Sequence, residues 1–389
     1  MTDVTQRPTG ARFAVHLVFA ANGMVFGSWT PRIPEVKTEL GLSAGVLGLV
    51  LLAPAIGAVL VMPFTGGWAG RIGSATATRL TAIWFFVLAA PIGLAFDAAT
   101  LFVALLVWGA GIGALDVSMN SQAVTVEHAY RRSLMSGIHA TFSLGALLGT
   151  GVGVLFALGS VDLAVQMAVL GAVLLTVVLV TSRAMLADPP GEAQEPGPLL
   201  VRPRGPQLAL AAAAFAVLLC EGATADWSAV FLGETLDAGV AAGAAFAAFS
   251  ATMTVGRLVG DRVLSRWPRR VVIRWFATLA AGGLGLGLLV AELTGGVVAV
   301  TAAVAGFGVL GAGISLTFPA LLAEAGANAP RPAEAIAAVS TGGYTGFLVG
   351  PPLIGALAEV GGVTLAVWFI PLLAAAAALV VRGRRPRPA

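Results

Sequence analysis

Charged side chains are scarce in this chain of 389 residues. Only 11% of the residues are Asp, Glu, Lys or Arg, whereas 58% are hydrophobic, and the mean hydropathy is +0.93. A soluble globular domain carries about 25% charged residues, so this composition excludes one. Most of the chain is predicted to lie in a lipid bilayer.

Cysteine is almost absent as well. Cys220 is the single cysteine, and the three histidines form no cluster with the spacing of metal ligands. A disulfide framework and a structural zinc site are therefore excluded, and no metal or cofactor is expected. The net charge of +3 comes without a basic stripe, which argues against a nucleic-acid partner.

Long hydrophobic runs are what the chain has in abundance. A bilayer is spanned by about twenty apolar residues at 1.5 Å rise per residue. Twelve such runs occur, which predicts an all-α polytopic membrane protein with twelve transmembrane helices. The runs lie near 12–30, 43–65, 79–96, 100–126, 134–158, 162–186, 207–232, 240–263, 271–292, 297–325, 334–358 and 363–381.

The basic residues test this count of spans, because they collect in cytoplasmic loops. With the N-terminus inside, the external loops contain only Arg32 and Lys37, and almost all other basic residues fall in cytoplasmic segments. Both termini are therefore predicted to be cytoplasmic. The strong preference for Arg over Lys is typical of a GC-rich bacterial genome, so we expect a bacterial inner membrane.

A Pro/Gly-rich stretch and an internal repeat predict two pseudo-symmetric halves. Residues 187–206 are charged and lack periodicity, as in a linker, and they separate a six-helix half at 1–186 from another at 207–389. The pattern Gly145-x-x-x-Gly149 recurs 201 residues later as Gly346-x-x-x-Gly350. Parallel repeats of this kind are typical of secondary transporters.

Ionisable and amide side chains inside the spans are the candidate site residues, because each costs roughly 2.5–3.5 kcal/mol to insert. The fourth helix has Asp116 and Asn120 four residues apart, with Glu127 on the same face. Asp116 lies near mid-membrane, where a carboxylate takes up a proton when desolvated and releases it when water arrives. The alternative role for Asp116 is a hydrogen bond between helices.

Five further candidates lie in other apolar runs. Glu221 in the seventh helix is a second coupling candidate, or else a polar contact between the halves, whereas Asp226 lies nearer the external end. His139 could relay protons or form a structural hydrogen bond, and Asn22 is similar. Trp108 lies deep enough to stack on a ligand ring.

Charged residues near the cytoplasmic helix ends are candidate gate contacts. Arg71 lies between helices 2 and 3, and Arg257, Asp261 and Arg262 lie between helices 8 and 9, while Glu127 ends helix 4. Ion pairs there could form in one conformation and open in another. The alternative is that the arginines only set topology.

These features resemble the major facilitator superfamily. Residues 66–73 read GGWAGRIG, similar to the family's G-x-x-x-D-R-x-G signature between helices 2 and 3, and Asp261-Arg262 resembles the second-half copy. Residues 113–120, GALDVSMN, look like helix 4 of the fucose-proton symporter branch. That resemblance implies sugar binding and proton coupling at Asp116 and Asn120.

The predicted function is secondary transport by alternating access, in which protons drive symport of a sugar-like or other small polar solute. The predicted partners are this solute, protons and the lipid bilayer, and the protein is predicted to be monomeric. Proton-driven efflux of a drug or metabolite is the main alternative.

An intramembrane enzyme is disfavoured because 41–45, GLSAG, opens a membrane run, where Ser43 is predicted to cap a helix rather than act as a nucleophile. A sensor or scaffold is disfavoured by the short loops.

Overall fold

The computed structural model describes residues 8–130, 134–187, 205–327 and 332–381, and every regular element in these ranges is helical. Residues 188–204 of the predicted linker lie outside the described residues. The α-helices are α1 (Thr9–Trp29), α2 (Ile33–Glu39), α3 (Ala44–Leu51), α4 (Ala53–Ile72), α5 (Ser74–Val87), α6 (Ala98–Tyr130), α7 (Met135–Leu158), α8 (Leu163–Thr181), α9 (Pro206–Val230), α10 (Ala244–Arg266), α11 (Arg269–Leu293), α12 (Gly296–Ile314), α13 (Thr317–Ala327) and α14 (Pro332–Val380). Short 3-10 helices occupy Thr30–Arg32, Ala90–Leu94, Ser182–Ala184 and Gly239–Gly243, and a π-helix occupies Phe231–Thr235.

The predicted fold class is confirmed. Within the described ranges, eleven helical stretches are long and apolar enough to cross a membrane. The last of them, Ala338–Val380, is two helices joined at Gly362, where φ is 81° and ψ is 164°. A residue with a side chain rarely adopts this φ, so glycine permits the bend. The described chain thus forms about twelve membrane-crossing helices, and the protein is a multi-pass membrane protein.

Two predicted spans are broken by prolines. The run predicted at 43–65 divides into α3 and α4 at Leu52, and the run predicted at 297–325 divides into α12 and α13 at 315–316. Pro54 and Pro319 follow these breaks. A proline removes one backbone donor and its ring clashes with the carbonyl four residues earlier, so a helix ends or bends just before it.

Helix ends are where the sequence-based boundaries were wrong. The predicted second span ended at 65, but α4 continues to Ile72, and α10 continues to Arg266 beyond the predicted end at 263. Arg71 therefore lies within α4 rather than in a loop, and the prediction that Arg257, Asp261 and Arg262 lie between two helices is wrong, because all three lie within α10. A helix satisfies its own backbone hydrogen bonds in water as well as in lipid, so it does not end where the apolar run ends.

Contacts between helices divide the chain into two compact units. The first contains Met1–Trp29 and Ala53–Leu199, and the second contains Thr30–Leu52 and Leu200–Ala389. The stretch Thr30–Leu52, which includes α2 and α3, thus contacts the second unit although it follows α1 in the chain.

Glycines bring α1 and α7 together in the first unit. A Cβ atom on Gly145 would overlap the carbonyl oxygen of Ala20, and one on Gly149 would overlap that of Met24. From the other helix, a Cβ atom on Gly23 of α1 would overlap the carbonyl oxygen of Phe142 of α7. Such backbone contact gains dispersion energy and suits helices in lipid, where apolar side chains gain little from leaving the solvent.

The second unit repeats this packing between α9 and α14. A Cβ atom on Gly346 would overlap the carbonyl oxygen of Phe215, and Gly342 is packed against Ala211. Gly145 and Gly346 belong to the two copies of the Gly-x-x-x-Gly pattern. The repeat in the sequence therefore marks equivalent helix contacts in the two units.

Polar contacts attach the stretch Thr30–Leu52 to the rest of the second unit. Lys37 Nζ lies 2.6 Å from both carboxylate oxygens of Glu234, and the Gly45 backbone N–H donates to Glu359 Oε2 at 2.7 Å. Ser43 Oγ accepts from the Val46 backbone N–H at 3.3 Å, which confirms the predicted helix cap. The Lys37–Glu234 pair joins α2 to the π-helix, and the Gly45–Glu359 bond joins the first turn of α3 to α14 near its bend at Gly362.

The close approach of α1 and α7 predicts opposite effects for two alanine substitutions in α7. Gly151→Ala, at a position with no atom within 4 Å of the added Cβ, should raise stability by up to about 1 kcal/mol through helix propensity. Gly145→Ala should lower it by about 1–3 kcal/mol through overpacking. Thermal unfolding of the two detergent-solubilised variants checks this, and a Gly145→Ala protein as stable as Gly151→Ala would refute the packing.

Candidate functional site

Asp116 and Asn120 form a hydrogen-bonded pair on α6 in the first unit. Asn120 Nδ2 donates to Asp116 Oδ1 at 3.0 Å and to the Asp116 backbone oxygen at 2.8 Å. Both side chains are half-buried, and Asp116 lies two residues from the middle of the span Ala98–Tyr130. In the described part of the chain, Asp116 accepts from this amide and forms no ion pair. The pair places an uncompensated carboxyl group near mid-membrane.

Side chains of α1 and α7 lie close to this part of α6. Asn22 is buried on α1, and its amide lies 3.8 Å from the sulfur of Met119, which precedes Asn120. His139 on α7 is exposed, and its ring meets Phe19 of α1 edge to face at 5.2 Å. The first unit therefore packs Asn22 of α1 against the residue that precedes Asn120, and it leaves His139 exposed on α7.

Trp108 is buried in helix packing. Its ring stacks on Phe85 of α5 with 5.5 Å between centroids and 17° between planes, and its side chain is almost fully buried. A ligand could stack on the covered face only if Phe85 moved away. An apolar groove of about 520 Å³ nearby is lined by residues such as Phe96 and Val103, and it contains none of the predicted site residues.

The second unit pairs two residues to which the sequence assigned separate roles. Arg257 Nη2 of α10 lies 3.4 Å from Glu221 Oε1 of α9, and the two side chains are 20% and 22% exposed. Glu221 is the middle residue of the span Gln207–Thr235. Asp226, five residues further along α9, is half-buried, and the described residues give its carboxylate no hydrogen-bond donor. This unit thus contains an ion pair that joins the middle of one apolar span to the end of another.

The other gate candidates lie at helix ends. Arg71 and Arg262 are exposed, in the last turn of α4 and in α10. The side chain of Asp261 lies outside the described residues. Glu127 Oε2 accepts from the backbone N–H groups of Leu134 at 2.6 Å and Met135 at 3.0 Å, at the start of α7. Glu127 therefore satisfies backbone donors that the first turn of a helix leaves unpaired.

Sequence reasoning missed two buried amides and the partner of Glu221. Gln122 of α6 donates to Ser74 Oγ at 3.0 Å and to the Leu186 carbonyl at 2.9 Å. Gln166 of α8 donates to the Ser28 carbonyl at 3.0 Å. A glutamine inside an apolar run is the signal that finds such residues, since a buried amide needs partners. These two amides connect helices within the first unit.

The backbone contacts of Glu127 predict a local effect of its removal. Glu127→Ala should leave the two N–H groups at the start of α7 unpaired and cost about 1 kcal/mol, as for other lost helix caps. Hydrogen–deuterium exchange should become faster in the peptide that begins at Leu134 and stay unchanged in α10. Glu39→Ala, at an exposed position in α2, is the control. Unchanged exchange at the start of α7 would show that Glu127 does not hold this turn.

Comparison with known proteins shows which family has this helical architecture. A sequence profile of the Major Facilitator Superfamily matches residues 15–334. An uncharacterized MFS-type transporter of Yersinia pestis is 36% identical over 365 residues, which cover 92% of each chain.

Two solved structures share the fold at low sequence identity. The nucleoside transporter NupG has a TM-score of 0.75 at 15% identity, and the alignment covers 95% of this chain and 98% of NupG. A bacterial homolog of the human lysosomal transporter Spinster, in an inward-facing and occupied conformation, has a TM-score of 0.74 at 14% identity, with 97% of each chain covered. The profile match and the 36% identity over nearly the whole chain show that it belongs to the Major Facilitator Superfamily of membrane transporters.

Proposed function

We propose that this transporter is a proton-coupled symporter of a sugar-like or other small polar solute, in which Asp116 carries the proton. The observation that carries the proposal is the position of Asp116 near the middle of its span, with an amide rather than a cation beside it. An ionised carboxylate is costly in a bilayer unless it is paired or wet. Protonation removes that cost. Asp116 is therefore expected to hold a proton when its site is dry and to release it when water enters.

Asn120 supports this role from the same helix. Its amide donates to the ionised form of Asp116 through Oδ1 and can also hydrogen-bond a solute hydroxyl, because an amide has two donors and an acceptor. The segment GALDVSMN at 113–120 is similar to the fucose-proton symporter branch, which favours a hydroxylated solute.

In this proposal, six-helix halves at 1–186 and 207–389 alternate access to the solute by rocking. The chain lies in a bacterial inner membrane as a monomer, with both termini in the cytoplasm. The basic residues of the loops support this orientation. Proton-driven efflux is the second candidate. The helix 5 pattern of drug antiporters weakens it, because here that pattern has its nearest likeness in GFLVGPPLIG at 346–355, in the eleventh predicted span rather than the fifth.

Proton movement in liposomes tests the proposal. Purified protein is reconstituted with an internal pH dye and challenged with sugars, sugar acids, amino acids and cationic drugs. A solute gradient should acidify the lumen of vesicles with the parent protein, and Asp116→Asn should reduce this proton flux at least tenfold because it cannot exchange a proton. Asp97→Asn is the matched control, since Asp97 is an exposed residue at the start of the same helix.

Three outcomes separate the candidates. Protons that move against the solute would establish the efflux antiporter. A solute that equilibrates without protons would make the protein a facilitator. An Asp116→Asn protein with the proton flux of Asp97→Asn would show that Asp116 is not the coupling residue.

A further inference from the structure

We propose that the Arg257–Glu221 pair in the second unit is a binding site for a carboxylate, so that the transported solute is a hydroxylated organic acid. The inference rests on the proposed function in that it assumes a solute to be carried, and it names the chemical class of that solute. Nothing in the proposed role of Asp116 requires the solute to be charged.

The depth of the pair in the membrane is the first argument. Glu221 is the middle residue of its span, and Arg257 lies three residues inside the Gly260 end of the span Gly239–Gly260. About one fifth of each side chain is nevertheless exposed. Exposure of charged groups to hydrocarbon is unfavourable, so these groups face water or a solute. A charge pair that only held α9 against α10 would not need such access.

The second argument is the loose geometry of the pair. The Arg257–Glu221 distance of 3.4 Å is longer than a usual charge-assisted hydrogen bond, which is about 2.7–2.9 Å. The pairs Lys37–Glu234 and Arg270–Glu324, also in the second unit, are 2.6 Å apart. A guanidinium binds a carboxylate best through two parallel N–H donors. A mobile carboxylate that approaches Arg257 in this geometry can therefore displace Glu221.

Hydroxyl groups near the pair indicate the rest of the solute. Ser250 and Thr254 lie seven and three residues before Arg257, on the same face of α10, and both are buried. Ser228 lies seven residues after Glu221 on the same face of α9 and is fully buried, and its Oγ has no hydrogen-bond partner among the described residues. A buried hydroxyl without a partner is an exception that a bound molecule or a water molecule explains.

The positions of these hydroxyl groups indicate how long the solute is and which chemical groups it carries. Seven residues of α-helix rise about 10 Å. A solute with its carboxylate at Arg257 and a hydroxylated body of this length reaches the level of Ser228 and Ser250. A sugar acid has these groups, whereas a simple sugar and a cationic drug lack the carboxylate.

Binding to the purified full-length protein in nanodiscs tests the inference. The probes are D-glucuronate, L-lactate and benzoate, each beside its uncharged counterpart D-glucose, lactamide or benzamide, and binding is measured by thermal shift and titration calorimetry. We expect at least one acid to stabilise the protein and its uncharged counterpart to have no effect. Failure of all three acids at 10 mM, or equal effects of an acid and its counterpart, would overturn the proposal.

Variants of Glu221 and Arg257 test which of the two side chains binds the acid and which competes with it. Glu221→Gln removes the competing carboxylate and should strengthen binding of the acid about tenfold, whereas Arg257→Gln should abolish it. If Arg257→Gln fails to fold because Glu221 is left unpaired, the double variant Glu221→Gln/Arg257→Gln removes both charges and should fold without binding the acid. An acid that binds a folded variant lacking Arg257 as tightly as the parent would also overturn the proposal.

Asp116→Asn separates this inference from the proposed function. It should retain acid binding that depends on Arg257, because the substitution leaves the guanidinium in place, while losing the solute-driven proton flux. Acid binding that depends on Arg257, together with proton flux that survives in Asp116→Asn, would refute only the role of Asp116. Proton flux that depends on Asp116 and is driven by an uncharged solute, but by no acid, would refute only the carboxylate site.

Discussion

The bilayer offers no hydrogen-bond partner to a backbone N–H or C=O group, and this constraint underlies the rest of the structure. It makes every regular element in the described ranges helical, because a helix satisfies these groups within itself. Lipid tails are as apolar as leucine, so the helices cannot associate simply by burying apolar side chains. Backbone contact at Gly23, Gly145 and Gly346 supplies the attraction instead. These three glycines are thus part of the helix packing.

The same constraint explains which parts of the fold could be predicted from the sequence. Apolar runs of sufficient length report membrane spans directly, and the predicted spans correspond to helices. Helix ends were predicted less well, because α4 and α10 continue past the predicted apolar runs to Ile72 and Arg266. Prolines were visible in the sequence, but their effect was not. Pro54 and Pro319 follow breaks, whereas Pro351 lies within α14, so local packing decides whether a helix breaks.

Contacts between candidate site residues could be predicted when both residues lie on one helix, but not when they lie on two helices. The contact between Asp116 and Asn120 follows from a spacing of four residues on one helix, so the sequence was sufficient to place them together. The contact between Glu221 and Arg257 joins residues 36 positions apart on two helices, and it depends on how α9 packs against α10. Burial of Trp108 under Phe85 is also a result of packing. Periodicity along one helix carries no information on such contacts.

Charge balance connects the carboxyl group of the first unit with the ion pair of the second. In the proposed transport cycle, a solute carboxylate replaces Glu221 at Arg257, the transporter then holds one more negative charge than before, and the displaced Glu221 must be hydrated. A transporter that moved this extra charge alone would work with or against the membrane potential on every cycle. In this cycle, the proton proposed at Asp116 cancels that charge, so that an acid and a proton would cross together without net charge movement. The two groups need no direct contact for this coupling, because the balance depends only on the total charge that the protein carries.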